Sequence, residues 1–163
     1  LNERCLTWGM PQGMLPQAYN NNIQIVQTAN EVMILTEMVH DVRIIPLDGR
    51  PHIPRNITQW HGDARGYWIG ETLVIETTNF SAKSSFRRSG SNLHLEERYT
   101  RIADDRLQYE FTVTDDTTWE QPWTVSFPMV KGGEPLYEFA CHEGNYGLEN
   151  ILRAARHLEK QQQ

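Results

Sequence analysis

The sequence predicts a mainly β fold, an antiparallel β-barrel of about eight or nine strands with one C-terminal helix. Short segments rich in β-branched and aromatic residues follow one another between turn residues, and only the tail has helical spacing. The 163 residues are enough to bury a substantial core, and no linker or repeat divides them, so we expect one domain over residues 1–163. A two-sheet β-sandwich is the alternative, because it uses the same pattern of strands.

The chain begins with an irregular arm and three predicted strands. Residues 1–22 are rich in Gly, Pro, Asn and Gln and lack periodicity, which predicts an ordered arm and no regular element. The first strands are predicted in "IQIVQ" (residues 23–27), "VMILTEMVH" (32–40) and "VRIIPL" (42–47). The second of these is apolar on both faces. The loop "DGRPHIPRN" follows and contains two prolines.

Two hairpins, two further strands and a helix complete the prediction. A turn at Gly70 and Glu71 joins "ARGYWIG" to "ETLVIETTNF", and a turn at Asp104 and Asp105 joins "NLHLEERYTRI" to "LQYEFTVTD". The segments "WTVSFPMV" and "PLYEFAC" are the last predicted strands. Over residues 147–160, apolar side chains at helical spacing predict a helix that covers an open end or the side of the sheet. These side chains are Leu148, Ile151, Leu152, Ala155 and Leu158.

Charge and hydropathy limit the classes of partner. The chain carries a formal net charge of −6, whereas a surface that binds nucleic acid needs a basic face, so we expect no nucleic-acid partner. No apolar run approaches the roughly 18 residues that a membrane-spanning helix needs, so we expect no transmembrane segment.

The two cysteines, Cys5 and Cys141, stand near opposite ends of the chain. In an exported protein the simplest use of such a pair is one disulfide bond. Closing a loop of roughly 135 residues contributes about 4–5 kcal/mol in the chain-entropy model. Two unrelated buried thiols are the alternative. If "YEFAC" is a strand, Cys141 and His142 point to opposite faces, which disfavours a Cys–His catalytic dyad.

Alternation along "NLHLEERYTRI" puts a carboxylate among apolar side chains. Glu97 shares its parity with the leucines and the tyrosine of this segment, so we expect it to face the core or a cavity. There it must find a partner or shift its pKa upward. Tyr109, on the facing strand, is positioned to meet it. An ion pair between Glu97 and either Arg43 or Arg101 is the structural alternative to a catalytic role.

The segment "MVHDVRIIPLDGRPH" is the densest group of chemically active side chains. A histidine beside carboxylates can act as a general base or as a metal ligand. The candidate ligands of a divalent metal are His40, Asp41, His52, His94 and His142. No H-x-H, H-E-x-x-H or C-x-x-C spacing supports a metal site. We therefore expect no cofactor and keep a divalent metal as the alternative.

The motifs "HDVRIIPLDGRPH", "GETLVIETTNF", "NLHLEERYTR" and "YEFACHEGNYG" resemble a large family of uncharacterised bacterial proteins, most of them predicted to be exported. The resemblance extends from about Arg4 to Arg156. It implies a bacterial source and a periplasmic or secreted location. It implies no reaction, so no catalytic role is carried over from the family.

The leading hypothesis is an exported, lipocalin-like barrel that binds a small apolar or aromatic molecule and acts on it by acid–base chemistry, as a lyase, isomerase or hydrolase. His40 and Glu97 are the predicted proton-transfer pair. Arg43 would stabilise developing negative charge, Tyr109 would position or protonate the substrate, and His142 would assist. The aromatic side chains predicted to bind the ligand are Trp60, Trp68, Trp119 and Trp123.

Two other functions fit the same features. A non-catalytic, lipocalin-like carrier would use the ionisable groups as a structural lattice of ion pairs. A partner-binding domain of a larger exported assembly would use the N-terminal arm as its contact.

Overall fold

A computed structural model describes residues 4–84 and 86–161, and in this part of the chain it contains eight β-strands and one α-helix. The elements in chain order are β1 (Ile23–Gln27), β2 (Glu31–Thr36), β3 (Val42–Pro46), β4 (Asp63–Ile69), β5 (Thr72–Thr78), β6 (His94–Ala103), β7 (Arg106–Thr114), β8 (Trp123–Val130) and α1 (Gly147–Gln161). Strands β1, β2 and β3 form one antiparallel sheet, and β4 to β8 form a second in chain order.

The mainly β, antiparallel architecture with a C-terminal helix is confirmed, but the described strands do not close into the predicted barrel. Hydrogen bonding is interrupted between β3 and β4, which the loop of residues 47–62 separates, and β8 does not pair with β1. Both sheets contribute to one apolar core, a sandwich-like arrangement. The ninth predicted strand, residues 135–141, is irregular because no described strand pairs with it.

Strict alternation in β6 and β7 builds the centre of the core. Leu95, Glu97 and Tyr99 point inward from β6 and are almost completely buried, while the residues between them stay partly exposed. Tyr109 and Phe111 do the same on β7. The predicted inward direction of Glu97 is therefore correct. Each large apolar side chain buried here stabilises the fold by about 1.5–3 kcal/mol relative to exposure.

A glycine lets the two sheets approach each other closely. A Cβ atom added to Gly66 in β4 would lie 2.7 Å from Leu47 Cδ2 and 2.8 Å from Ile45 Cγ2. A side chain at this position would push β3 and the chain after it away from β4. The close approach fixes the width of the space between β3 and β4.

The predicted disulfide between Cys5 and Cys141 is present and links residues that are 136 positions apart. It ties the N-terminal arm to the tail. Residues 1–3 of the predicted arm lie outside the described residues; the rest makes one helical turn, Gln12–Met14, and buries Met10 and Met14 in the core.

Helix α1 differs from the prediction in its packing. None of its residues is buried, so it does not cover the sheet as its apolar stripe predicts. Neither α1 nor any other helix in the described ranges is long and apolar enough to cross a membrane.

Candidate functional site

A cleft of about 750 Å³ lies between β3, β4 and the loop that joins them. Its apolar side consists of Val42 and Ile44, which point outward from β3, together with Leu6 and Trp60. All four of these side chains are exposed to solvent. An apolar wall of this kind suits a small molecule with an apolar or aromatic body.

Three polar side chains meet beside this wall. Thr7 comes from the N-terminal arm, Asp41 immediately precedes β3, and His61 lies just before β4. Thr7 Oγ1 lies 2.8 Å from Asp41 Oδ2 and 2.5 Å from His61 Nε2. His61 Nε2 is 3.3 Å from Asp41 Oδ2. Three distant parts of the chain thus form one cluster, which we call the Asp41 cluster.

The hydrogen-bond directions in the Asp41 cluster define the state of the histidine. Thr7 donates its hydroxyl proton to Asp41, and Thr7 Oγ1 accepts the backbone N–H of Gly9. Because the threonine proton is used, His61 Nε2 carries a proton and donates it toward Thr7 and Asp41. His61 Nδ1 then holds the lone pair of the neutral ring. It has no hydrogen-bond partner among the described residues.

Asp41 is held in its charged form. Burial by itself raises the pKa of this carboxyl. The hydrogen bond from His61, the charge of its ring when that ring is protonated, the Thr7 hydroxyl and the backbone N–H of Trp8 act in the opposite direction. The net result is a lowered pKa of Asp41. The cluster therefore contains an ionised carboxylate that can stabilise a positive charge on His61.

The backbone before Asp41 adopts an unfavourable conformation. Val39 and His40 have φ angles of 61° and 47°. Positive φ is a genuine outlier for a β-branched residue, and such a residue costs of order 1–3 kcal/mol. The turn is closed by Thr36, whose N–H donates to Asp41 O at 3.0 Å. Strain of this kind concentrates at functional sites, and here it occurs in the two residues that immediately precede Asp41.

Gly62 positions the histidine on the other side of the cluster. Its φ is +70°, and an added Cβ would lie 2.6 Å from both Thr77 Cγ2 and Thr78 O. Only glycine fits this conformation and this space without displacing the backbone. The chain can therefore turn directly after His61 and enter β4.

A second histidine–aspartate pair holds the loop that carries His61. His52 Nδ1 lies 2.8 Å from Asp63 Oδ2, and Arg65 Nη1 donates to Asp63 Oδ1 at 2.7 Å. Arg65 also donates to the carbonyl oxygens of Arg50 and Pro51. Burial tends to raise the pKa of Asp63, but His52, Arg65 and a backbone N–H lower it overall. This pair closes the loop and leaves Asp63 without a free oxygen.

The cluster around Glu97 differs from the Asp41 cluster because it is buried inside the protein. Glu97 is completely buried, and Arg43 donates to Oε1 at 3.0 Å and to Oε2 at 2.5 Å. Tyr99 and Tyr109 donate their hydroxyl protons to Oε1 at 3.2 and 2.9 Å. Burial, and then the charge of Glu97, raise the pKa of both hydroxyls well above their usual value. Arg43 Nη2 also donates to Thr77 Oγ1 at 3.3 Å.

This Glu97 cluster joins the two sheets. Arg43 belongs to β3, whereas Glu97, Tyr99 and Tyr109 belong to β6 and β7. The ion pair that the sequence left as an alternative is therefore formed, and its partner is Arg43. Arg101 is exposed and interacts with Asp104 instead.

The other predicted catalytic residues lie apart from Glu97. His40 and His142 are both exposed, and neither forms a hydrogen bond to Glu97 among the described contacts. Within residues 4–84 and 86–161, no group of three or more His, Cys, Asp or Glu side chains could hold a metal ion. The set His40, Asp41, His52, His94 and His142 therefore receives no support as a metal site.

The four predicted aromatic ligand-binding residues do not line one common site. Trp60 borders the cleft, and Trp68 is exposed on β4. Trp119 and Trp123 make an edge-to-face contact with ring centroids 5.5 Å apart at the border of the core. Of the four, Trp60 is the one positioned to contact a ligand in the cleft.

Sequence reasoning missed Thr7, His61, Asp63 and Arg65. The last three lie in "HGDAR", where a histidine, a carboxylate and an arginine follow Trp60 within a few residues. That density of polar groups before a strand could have identified them. Thr7 had no local signal, because it reaches the cleft through the fold of the arm.

Comparisons with family models, with curated proteins and with solved structures give no match. The resemblance carried by the four sequence motifs therefore stays a prediction.

Proposed function

We propose that the protein binds a small apolar or aromatic molecule in the cleft beside β3 and performs general acid–base chemistry on it, with His61 as the base. The Asp41 cluster carries this proposal. It combines an ionised carboxylate, an adjacent apolar wall, and a partly exposed histidine with a ring nitrogen that has no partner in the described part of the chain. Such a combination is what a general base needs for proton transfer to a bound substrate.

The mechanism follows from the tautomer of His61. Its Nε2–H donates toward Asp41 and Thr7, so Nδ1 is the nitrogen that accepts a proton from the substrate. The imidazolium formed in this step is stabilised by the Asp41 carboxylate 3.3 Å from Nε2. The same Nδ1–H then returns the proton to another atom of the intermediate. This sequence suits an isomerase, a lyase or a water-activating hydrolase.

Thr7 is a positioning residue in this scheme and not a nucleophile. A threonine nucleophile must give its proton to the base, as in a serine–histidine pair. Thr7 gives its proton to Asp41, and Asp41 approaches the same nitrogen of His61 that faces Thr7. In a Ser-His-Asp relay the hydroxyl and the carboxylate contact opposite nitrogens of the imidazole ring, whereas here both approach Nε2.

We assign the predicted catalytic residues Arg43, Glu97 and Tyr109 to a structural role beneath the cleft. Every Glu97 oxygen already accepts at least one hydrogen bond, and the carboxylate has no contact with solvent. We also infer that the protein works in the periplasm or is secreted. The disulfide supports this location, because such bonds persist in oxidising compartments.

The test uses two probes with the full chain. Fluorescence of 8-anilino-1-naphthalenesulfonate reports binding to the apolar cleft, and hydrolysis of 4-nitrophenyl acetate reports a reactive imidazole. The variants are His61→Gln and, as a matched control, His157→Gln on the exposed face of α1. We expect the wild type and His157→Gln to hydrolyse the ester at least tenfold faster than His61→Gln, and all three to bind the dye equally.

The outcomes separate the proposal from the carrier alternative. A non-catalytic carrier would be favoured by two results together. Ile44→Glu would abolish dye binding, and His61→Gln would leave ester hydrolysis unchanged. The exposed apolar wall is the observation that favours this second function. If Ile44→Glu changes neither dye binding nor hydrolysis, the cleft is not the ligand site and the proposal fails.

A further inference from the structure

Strand β3 has an open edge at the cleft. It pairs with β2 on one side, and no strand among the described residues pairs with it on the side that faces β4. The N–H of Thr36 donates to the carbonyl oxygen of Asp41, and hydrogen-bonded pairs recur at every second residue of an antiparallel ladder. Val42 and Ile44 lie between these pairs, so their backbone N–H and C=O groups point away from β2. An edge of this kind is a template for another extended chain.

The opposite wall of the cleft, β4, is a poorer template. Ile69 and Thr72 close the two-residue turn between β4 and β5, so they form a hydrogen-bonded pair. By alternation, Ala64 points its backbone groups away from β5, on the side of the cleft. Its carbonyl oxygen, however, already accepts Arg65 Nη1 at 2.7 Å. The edge of β3 is therefore the better one for backbone hydrogen bonds to a ligand.

The charged side chains of the cleft already have partners within the chain. Those that line it and form hydrogen bonds or ion pairs are Asp41, Arg43, Arg50, Asp63 and Arg65. Arg43 Nε has no partner among the described residues, but it is closed to solvent, so a ligand does not reach it. An ionic ligand would have to displace one of the existing partners. An uncharged ligand with amide groups instead meets the free N–H and C=O groups of β3, which match it as donors and acceptors.

The side chains beside this edge also suit a peptide. Val42 and Ile44 are 47% and 60% exposed, and they stand on the same face of β3, two residues apart. A strand added beside β3 places every second side chain next to them, because alternate side chains share a face. Peptides that bind by strand addition gain affinity from backbone hydrogen bonds and specificity from their alternate side chains. The apolar wall therefore selects apolar side chains at every second position.

We propose that the ligand of the cleft is a short peptide with apolar or aromatic side chains at alternate positions, bound as an added strand on the open edge of β3. This inference rests on the proposed function, because it takes the same cleft and names the chemical class of the molecule that binds there. Asp41 immediately precedes Val42, and Asp41 Oδ2 lies 3.3 Å from His61 Nε2. A peptide on this edge therefore extends to the Asp41 cluster and brings its amide groups beside the general base.

The test uses the full chain and the blocked peptide acetyl-Val-Ala-Phe-Ala-Val-amide. Calorimetry measures its affinity, and displacement of 8-anilino-1-naphthalenesulfonate shows that it occupies the cleft. Two N-methylated versions form a matched pair, one methylated at the valines and the phenylalanine and the other at the alanines. An added edge strand hydrogen-bonds through every second residue only. One version should therefore bind at least about tenfold more weakly and the other within about threefold of the parent peptide. The direction of the peptide decides which version loses affinity.

Two variants of the protein test the edge from the other side. Ile44→Pro removes the N–H that points to the cleft and removes no hydrogen bond to β2, whereas Ile44→Val keeps both the N–H and an apolar side chain. We expect the parent peptide to bind at least about tenfold more weakly to Ile44→Pro and with wild-type affinity to Ile44→Val. If circular dichroism shows that Ile44→Pro does not fold, the two N-methylated peptides test the edge with the wild type alone.

Three results would overturn the inference: no displacement of the dye by the peptide at millimolar concentration, equal effects of the two methylation patterns, or wild-type affinity in a folded Ile44→Pro protein. Its failure is distinct from a failure of the proposed chemistry. If the peptide does not bind but ester hydrolysis depends on His61, the peptide assignment alone is wrong. If the peptide binds with the expected methylation pattern but His61→Gln leaves ester hydrolysis unchanged, the peptide assignment holds and the assignment of His61 as the base is wrong.

Discussion

The Glu97 cluster and the Asp41 cluster contain the same kinds of groups, a carboxylate, a basic side chain and hydroxyls, but they differ in access. Glu97 accepts four hydrogen bonds from Arg43, Tyr99 and Tyr109, and none of these residues is more than 5% exposed. Asp41 and His61 are only partly buried, and no residue that the structure describes forms a hydrogen bond to Nδ1 of His61.

This difference in access shows how to distinguish polar groups that stabilise the fold from polar groups that can react with a substrate. A buried charge must be paired and fully hydrogen-bonded, since its desolvation is otherwise too costly. In the Glu97 cluster both carboxylate oxygens accept hydrogen bonds and are closed to solvent, although Arg43 Nε has no hydrogen-bond partner among the described residues. The buried carboxylate is therefore not accessible to a substrate. Proton transfer requires the opposite condition, a group with one unused position beside a space that a ligand can enter. Of these two clusters, the Asp41 cluster is the one that meets this condition, because His61 Nδ1 has no partner among the described residues and the cluster borders the cleft.

The largest effect should come from breaking the Glu97 cluster. Arg43→Met removes the cation and leaves a buried carboxylate, which should lower the free energy of unfolding by about 3–5 kcal/mol. Urea denaturation followed by circular dichroism measures the change. The double variant Arg43→Met with Glu97→Leu should recover a substantial part of the loss, because no unpaired charge remains. If the unfolding free energy of Arg43→Met lies within about 1 kcal/mol of the wild-type value, the Arg43–Glu97 pair is not a structural cross-link.

A somewhat smaller effect is expected at the glycine beside His61. Gly62→Ala requires alanine at φ +70° and puts its Cβ against Thr77 and Thr78, so we expect a loss of about 2–4 kcal/mol in unfolding free energy. Gly49→Ala is the matched control, because Gly49 has φ +73° and open space around its Cβ position. It should lose about 1 kcal/mol. Equal losses in both variants would mean that the packing around Gly62 is unimportant.

The pH dependence of stability should reveal the charge on Asp41. The pKa of Asp41 is lower in the folded than in the unfolded protein. Its ionised carboxylate therefore contributes to the unfolding free energy above the unfolded-state pKa of about 4, and this contribution is lost as the pH falls through the folded-state pKa. Asp41→Asn should therefore lower the unfolding free energy by about 1–2 kcal/mol near neutral pH. The difference from wild type should shrink toward zero in acid. A difference that stays constant down to about pH 2 would contradict an ionised Asp41.

The smallest effect on stability is expected for His61 itself. Its side chain is 20% exposed, and its Nδ1 has no partner within residues 4–84 and 86–161. His61→Gln should therefore change the unfolding free energy by less than about 1 kcal/mol. Thermal unfolding of the two proteins measures the change. A small change in stability together with a large loss of ester hydrolysis would show that His61 takes part in the reaction and is not needed for the fold. A loss above about 3 kcal/mol would move it to the structural class.

Local patterns in the sequence predicted the parts of the fold that depend on neighbouring residues. Alternation along β6 correctly placed Glu97 inside, and the apolar spacing of the tail correctly predicted α1. The spacing of two cysteines with no others in the chain correctly predicted the disulfide. These features rest on periodicity or on simple counting, so one sequence is enough to find them.

Features that depend on long-range geometry were not predicted. The strands were expected to close into a barrel, but closure depends on whether β3 pairs with β4 across the loop of residues 47–62, and the pattern of side chains does not determine this. The Asp41 cluster was missed for the same reason. Thr7 and His61 are 54 positions apart and meet only through the path of the arm.

The disulfide also affects how damage to the chain would be seen. Arg87 and Arg88 lie in an exposed turn with φ angles of 48° and 76°, and this turn falls between the two cysteines. A tryptic cut there would leave two fragments that remain covalently joined. Such a nicked protein would have the same apparent size as the intact chain in non-reducing electrophoresis, and only a reducing gel would separate its halves.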